Sequence, residues 1–195
     1  MPLDPASWHG YTQRGWIEVI CGPMFAGKTE ELIRRVKRCL LANQKVAIIK
    51  PDIDKRYSSE DIVSHEGRQL KAIPLKDIKE AYDLISPDHD VLAIDEAQFF
   101  SKEIVEVSTY FANRGLRVIV AGLEMDYRGN PFGPMPELLA VADHITKLHA
   151  VCVKCGAPAL FSHRKSKEEG VVVIGSLDKY EPLCRNCFLK ATSDD

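Results

Sequence analysis

Residues Trp16 to Leu41 read WIEVICGPMFAGKTEELIRRVKRCLL, and this stretch decides the fold. Its first six residues, Trp16 to Cys21, form a short apolar run with β-branched side chains, the pattern of a buried strand. Gly22 to Thr29, GPMFAGKT, then satisfies G-x-x-x-x-G-K-[ST]. From Lys28 to Leu41 the apolar residues Leu32, Val36, Cys39 and Leu40 recur at i, i+4, i+7 and i+8, which predicts an amphipathic helix. Arg34, Arg35, Lys37 and Arg38 fall largely on the remaining surface and read as a solvated basic face. Strand, glycine-rich turn and helix are the setting in which this motif cradles phosphate. Gly22 and Gly27 let the backbone curl so that N–H groups point inward, and the helix adds its positive dipole end. Pro23, Met24, Phe25 and Ala26 complete the loop, Lys28 is placed to reach the β- and γ-phosphates of ATP, and Thr29 offers a hydroxyl to Mg²⁺. The alternative is a Gly/Pro turn that merely carries Lys and Thr.

Working outward, further apolar runs stand at Val46 to Ile49, Val91 to Ile94 and Arg117 to Ala121, separated by helix-like segments such as Lys102 to Asn113. This alternation predicts an α/β fold with a parallel sheet covered on both faces. Pro51 to Gly67 is polar and unpatterned and reads as a long loop. Val91 to Phe100, VLAIDEAQFF, is a strand ending in two adjacent carboxylates. Beside a phosphate loop such a pair has work to do. Asp95, on a strand expected to neighbour that of Trp16 to Cys21, is expected to hold Mg²⁺ directly or through water. Glu96 is then the candidate general base for an attacking hydroxyl or water. The alternative is an acidic pair that simply faces solvent. Gly122 to Pro136, GLEMDYRGNPFGPMP, is rich in Gly and Pro and follows a strand's C-terminal end, where ligand loops sit in open α/β sheets.

The chain has 195 residues, with 26 Lys plus Arg against 28 Asp plus Glu, 45% hydrophobic and 28% charged residues. That is ordinary globular composition and excludes a disordered or collagen-like chain. A net charge of −2 gives no general pull on nucleic acid, so a small partner is expected. No apolar run approaches the ~20 residues of a membrane span, and MPLDPASWHGYTQRG has no signal-peptide pattern, so a cytoplasmic protein without a membrane partner is expected. Four of the six cysteines form two CxxC pairs, Cys152/Cys155 and Cys184/Cys187, with 28 residues between them. Two such turns present four thiolates to one tetrahedral Zn²⁺, a closed and therefore structural site. Two disulfides or redox-active thiols are the alternatives. The intervening segment exceeds the roughly 15 to 20 residues of compact zinc ribbons and must extend away as a hairpin or loop. Cys21 and Cys39 lie on apolar faces and read as core. The organisation expected is a flexible extension over 1–15, an ATP-binding α/β domain over 16–150, a zinc module over 151–190 and a flexible tail over 191–195.

The three motifs, in this order and spacing, closely resemble the type II (zinc-containing) thymidine kinases. The similarity extends to KPDIDKRYSS (Lys50 to Ser59), GLEMDYRGNPF (Gly122 to Phe132) and VVVIGSLDKY (Val171 to Tyr180), covering roughly residues 16 to 190. The resemblance implies a RecA-like P-loop sheet flanked by helices, with a small C-terminal zinc module carrying a lasso loop. It implies phosphorylation of the thymidine 5′-hydroxyl by ATP in pyrimidine deoxynucleotide salvage. The lasso would be Val171, Val172, Val173, Ile174 and Gly175, whose backbone would hydrogen-bond the base, with Tyr180 closing the pocket. Met24, Phe99, Leu123, Tyr127 and Phe132 would wall the base, Tyr127 stacking on it, and Ser162 would lie near the thymine methyl. Asp54, Arg56 and Gln98 would join the ATP side. A homotetramer and feedback inhibition by dTTP are also implied.

Three positions depart from the family pattern: Glu124 where Asp is common, Tyr127 where Phe is usual, and Ser162 where Thr often stands. None removes a catalytic group. The Tyr127 hydroxyl needs a partner or water, and Ser162 leaves slightly more room, so deoxyuridine and 5-substituted analogues are expected to be accepted too. Two competing readings remain: a nucleic-acid-stimulated P-loop ATPase with a zinc ribbon, against which the near-neutral charge speaks, and a nucleotide switch for which Glu96 would be dispensable.

Overall fold

The computed structural model describes residues 15–52, 61–63, 69–165 and 179–193. The chain forms β1 (Trp16–Cys21), α1 (Lys28–Leu41), β2 (Val46–Pro51), β3 (Asp61–Val63), β4 (Gln69–Lys71) and β5 (Ile73–Leu75). A single 3₁₀ turn, Ile78–Glu80, leads into α2 (Ala81–Leu84), followed by β6 (Val91–Ile94) and a second such turn, Ala97–Phe99. Then come α3 (Glu103–Asn113), β7 (Arg117–Gly122), α4 (Met135–Val141) and β8 (His144–Lys147). The C-terminal part holds β9 (Ala150–Val151), β10 (Pro158–Ala159), β11 (Phe161–Arg164), β12 (Tyr180–Leu183) and α5 (Arg185–Ser193).

Six strands form one sheet in the order β5-β2-β6-β7-β1-β8, every pair parallel. The two-residue period of a strand divides β1 between two cores. Ile17, Val19 and Cys21 meet Ile104, Val107 and Phe111 of α3 and Met135 and Leu138 of α4. Ile20 points the other way, to Leu32, Ile33, Val36 and Cys39 of α1. The result is the three-layer α/β fold that near-continuous apolar strands predict. Both core cysteines are buried, and burial pushes the Cys21 thiol up to about 11.

Four details differ from the sequence pattern. First, β6 does not neighbour β1: β7 lies between them. Strand order is a long-range property that the local pattern of each strand leaves open. Second, Pro51 to Gly67 is not wholly loop, because β2 runs to Pro51 and β3 pairs antiparallel with β4, Ile62 opposite Leu70. Third, the sheet carries edge strands β5 and β8 that no apolar run announces; in β8 half-buried and exposed residues alternate. Fourth, the buried stripe of α1 includes Ile33, while Leu40 is 46% exposed, and Arg35 is only 4% exposed instead of solvated. The cause is Glu18, which β1 turns toward α1 and which is fully buried. A buried carboxylate requires partners. Arg35 Nη1 reaches Glu18 Oε2 at 2.6 Å, Arg117 Nε reaches Oε1 at 2.6 Å, and Trp16 Nε1 donates to Oε1 at 2.6 Å.

Beyond β8 a third core gathers Ala150, Cys152, Ala159, Phe161, Leu183 and Phe188, with the Phe161 and Phe188 rings stacked 4.3 Å apart. Two short antiparallel ribbons, β9 with β10 and β11 with β12, and helix α5 build it. Helix α5 continues through residues 191–193 to Ser193, past the boundary drawn at residue 190. No helix among the described residues is long and apolar enough to cross a membrane.

Candidate active site and metal centre

The phosphate loop joins β1 to α1. Gly27 caps α1 with φ 83°, a left-handed conformation that suits glycine, and no side chain caps the helix, so its first N–H groups are left for an anion. Gly22 is required for a different reason: a Cβ there would stand 2.6 Å from the Leu148 carbonyl oxygen. Phe25 also has φ 66°, where a non-glycine residue is strained. Phe25 and Ala26 pack against the C-terminal core, and the Met24 N–H donates to Ser162 Oγ at 2.9 Å. The loop is therefore held from outside its own motif. Lys28 Nζ donates to the Pro23 carbonyl at 2.9 Å. Burial pushes this ammonium down from its ordinary value, against the pull of the Glu96, Asp95 and Glu124 carboxylates.

Asp95 and Glu96 follow β6. Helix α1 packs across β1, β7, β6 and β2, which brings Thr29 to the end of β6 even though β7 intervenes. The Thr29 hydroxyl donates to Asp95 Oδ2 at 3.1 Å, and the Glu96 N–H donates to Oδ1 at 3.0 Å. Burial, and then the adjacent Glu96 charge, push the Asp95 carboxyl up to about 7. Glu96 has φ 53° and is half-buried, and Gln98 Nε2 donates to its Oε2 at 2.5 Å. The other end of the same amide, Gln98 Oε1, accepts from the Leu123 N–H at 2.9 Å, linking the acidic turn to the loop after β7. Asp95 and Thr29 together present hard oxygen donors beside one lysine, a set that fits Mg²⁺.

Leu123, Tyr127 and Phe132 come from that loop and, like Phe99, are half-buried; the Phe99 and Phe132 rings meet edge to face with centroids 5.6 Å apart. The Tyr127 hydroxyl accepts from Arg128 Nε at 2.8 Å, so the extra oxygen at this position has its partner. Glu124 is 7% exposed, neither of its carboxylate oxygens accepts a hydrogen bond from the described residues, and Lys147 Nζ stands 3.4 Å from Oε1. Tyr180 and Ser162 are buried. Sequence reasoning missed two residues that touch this group, Arg164 and Arg128. Arg164 lies in none of the quoted stretches, Arg128 lies in GLEMDYRGNPF without a role read for it, and only tertiary contact reveals what they touch. Asp54, Arg56 and Val171, Val172, Val173, Ile174 and Gly175 lie outside the described residues.

The four cysteine Sγ atoms all lie within 4.8 Å of one another, and Cys155 and Cys184 are 3.6 Å apart. None is in a disulfide. A tetrahedral zinc with bonds of about 2.3 Å sets sulfurs about 3.8 Å apart, so the cluster fits that ion. The β9–β10 turn supplies Cys152 and Cys155, and the junction of β12 with α5 supplies Cys184 and Cys187.

A family model described as thymidine kinase matches residues 15–188. A thymidine kinase of Bacteroides thetaiotaomicron is 54% identical over 183 residues, 94% of this chain and 92% of the relative. One from a Rhodothermus species is 52% identical over 188 residues, 96% of this chain and 88% of the relative. Another, from Bacteroides fragilis, is 52% identical over 183 residues, 94% and 92% of the two chains.

Proposed function

The chain belongs to the thymidine kinase family, and from that membership we propose how its own residues carry the reaction. The enzyme transfers the γ-phosphate of ATP to the 5′-hydroxyl of thymidine, giving dTMP and ADP. The observation that carries the assignment of roles is the Thr29–Asp95 hydrogen bond, which joins the phosphate loop to the acidic turn. Gly22 to Thr29 bind the ATP phosphates, and Lys28 lies against the transferred group. Asp95 and Thr29 would hold Mg²⁺, which would neutralise phosphate charge during the transfer. Glu96 takes the 5′-hydroxyl proton as the oxygen bonds to the γ-phosphorus, and the bond from that phosphorus to the β-phosphate oxygen breaks to release ADP. Gln98 fixes the Glu96 carboxylate by the bond described above.

Met24, Phe99, Leu123, Tyr127, Phe132 and Tyr180 wall the base, and deoxyuridine, which lacks only the 5-methyl group, is also a substrate. Asp54 and Arg56 serve the phosphate side, and Val171 to Gly175 give backbone hydrogen bonds to the base; the family resemblance supports both. The same resemblance supports a homotetramer and feedback inhibition by dTTP. The metal of the four-thiolate cluster is a structural zinc, supported by the sulfur spacing. The division near residue 150 is supported by the separate core beyond β8. A cytoplasmic setting is proposed from the reduced thiols such a cluster needs.

Pure protein with Mg-ATP should form dTMP only when thymidine is present; ADP release independent of thymidine would reject the reading. Glu96→Gln should lower kcat about 10²- to 10⁴-fold while ATP binding, measured by titration, is kept. Unchanged turnover in that variant would remove Glu96 from the role of base.

A further inference from the structure

We propose that Arg164 is a positioning residue for the nucleoside base, a guanidinium that holds Tyr127 and Tyr180 in one frame and so sets thymidine affinity. It ends β11, belongs to none of the sequence motifs, and is 6% exposed. Its guanidinium carbon lies 3.6 Å from the centroid of the Tyr127 ring, within cation–π range. Its Nε and Nη2 donate to the Tyr180 hydroxyl oxygen at 3.2 and 3.0 Å. Tyr127 belongs to the loop after β7 and Tyr180 begins β12, so one side chain joins segments far apart in sequence.

The geometry has a directional consequence. The Arg164 guanidinium covers one face of the Tyr127 ring, and the Arg128 guanidinium carbon lies 5.2 Å from the same centroid, so a base that stacks on this ring does so on a face that Arg164 does not take. The two donors on Tyr180 fix where that ring stands while Tyr127 is stacked. Lysine cannot substitute, because an ammonium has neither a plane to stack nor a rigid fork of donors. Two residues earlier on the same face of β11, Ser162 accepts the Met24 N–H of the phosphate loop. One short strand thus carries the phosphate loop at one position and the aromatic pair about 7 Å further along, at a strand rise of about 3.3 Å per residue. This role rests on the reading of Tyr127 as the base-stacking residue.

The test is steady-state kinetics of the full chain with Arg164→Lys, Tyr180→Phe, Tyr127→Ala and the Arg164→Lys/Tyr127→Ala double variant, with zinc content and melting temperature recorded for each. Arg164→Lys should raise the thymidine KM about tenfold and leave the ATP KM within about twofold, because the contacts to Tyr127 and Tyr180 that it loses are on the base side. Tyr127→Ala should raise the thymidine KM at least as far, and the double variant should raise it by less than the product of the two single effects, since the Arg164–Tyr127 contact is lost in both while the bonds to Tyr180 are lost only with Arg164. If Tyr127→Ala raises the thymidine KM but Arg164→Lys leaves it unchanged, or shifts the two KM values equally, the positioning role is overturned and the pocket reading stands. An unchanged thymidine KM in Tyr127→Ala overturns the pocket reading itself. Should Arg164→Lys not fold, Tyr180→Phe decides: a raised thymidine KM with an unmoved ATP KM supports the role, and an unmoved thymidine KM overturns it.

Discussion

Ser162 shows how a residue's chemistry depends on a partner far away in sequence. Its place near the pocket follows from the VCVKCGAPALFSHR segment only by resemblance, yet its hydroxyl is bonded to the Met24 N–H of the phosphate loop. Removing that acceptor leaves a backbone donor short of a partner, at a cost of about 1–3 kcal/mol. Ser162→Ala is therefore expected to weaken ATP binding about fivefold or more, with Ser162→Thr retaining it, as isothermal titration with ATP would measure. A loss confined to thymidine affinity would contradict this. At the same scale, the grouping of Lys28, Thr29, Asp95 and Glu96, and of the four cysteines, is legible in the sequence because each motif compresses its residues into a short run. Arg164 and Arg128 are not, since a lone arginine in a short strand or loop has no local signature until its aromatic partner is known.

Among the elements, β1, α1, β6, α3 and β7 were legible because each buries an uninterrupted or periodic apolar set. The edge strands β5 and β8 lie at the border of the core, where that signal fades, and the position of β7 between β1 and β6 is written in no single segment. The Glu18 cluster belongs to this scale too, since it ties β1 to α1, β7 and β8: Arg35 also donates to Thr146 Oγ1 at 2.8 Å, and Arg117 Nη1 to Cys39 Sγ at 3.3 Å. Burial alone would raise the Glu18 pKa, but the hydrogen bond and charge of Arg117, with Trp16 and Arg35, lower it below the ordinary carboxylate value. A carboxyl whose folded pKa is depressed contributes stability that is present above its unfolded pKa and lost as pH falls through the folded one. Acid unfolding should therefore draw on Glu18 only below about pH 4.5, the unfolded value. Glu18→Gln, which removes the buried countercharge of Arg117 while Arg35 keeps its pair with Glu31 at 2.8 Å, is expected to cost about 3–5 kcal/mol at neutral pH by denaturant titration, and to cost less as pH falls below that window. Equal losses at pH 7 and pH 3 would contradict the sign.

For the whole molecule, the C-terminal core does more than hold a metal, because Phe25, Ala26 and Met125 pack against it. The thiolate cluster, the strained phosphate loop and the loop after β7 therefore share one packed body. Protein purified without added metal should contain about one zinc per chain by elemental analysis, as a closed four-thiolate site demands. Chelation should lower the melting temperature and weaken ATP binding as well as thymidine binding. ATP affinity unchanged in zinc-free, folded protein would show that the phosphate loop keeps its shape alone.

The strand between β1 and β6 acts as a spacer. β7 contributes no proposed catalytic group, yet its thickness sets how far the loop proposed to bind phosphate stands from the turn that carries the proposed base. Its last residue, Gly122, is fitted closely: a Cβ there would lie 2.6 Å from Met135 Sδ and 2.9 Å from Gln98 Oε1, the amide that steadies Glu96. The tolerance of the proposed reacting geometry is thus governed by a piece of scaffold that carries none of the residues proposed to meet substrate, much as the gap in a vice is set by its frame and not by its jaws.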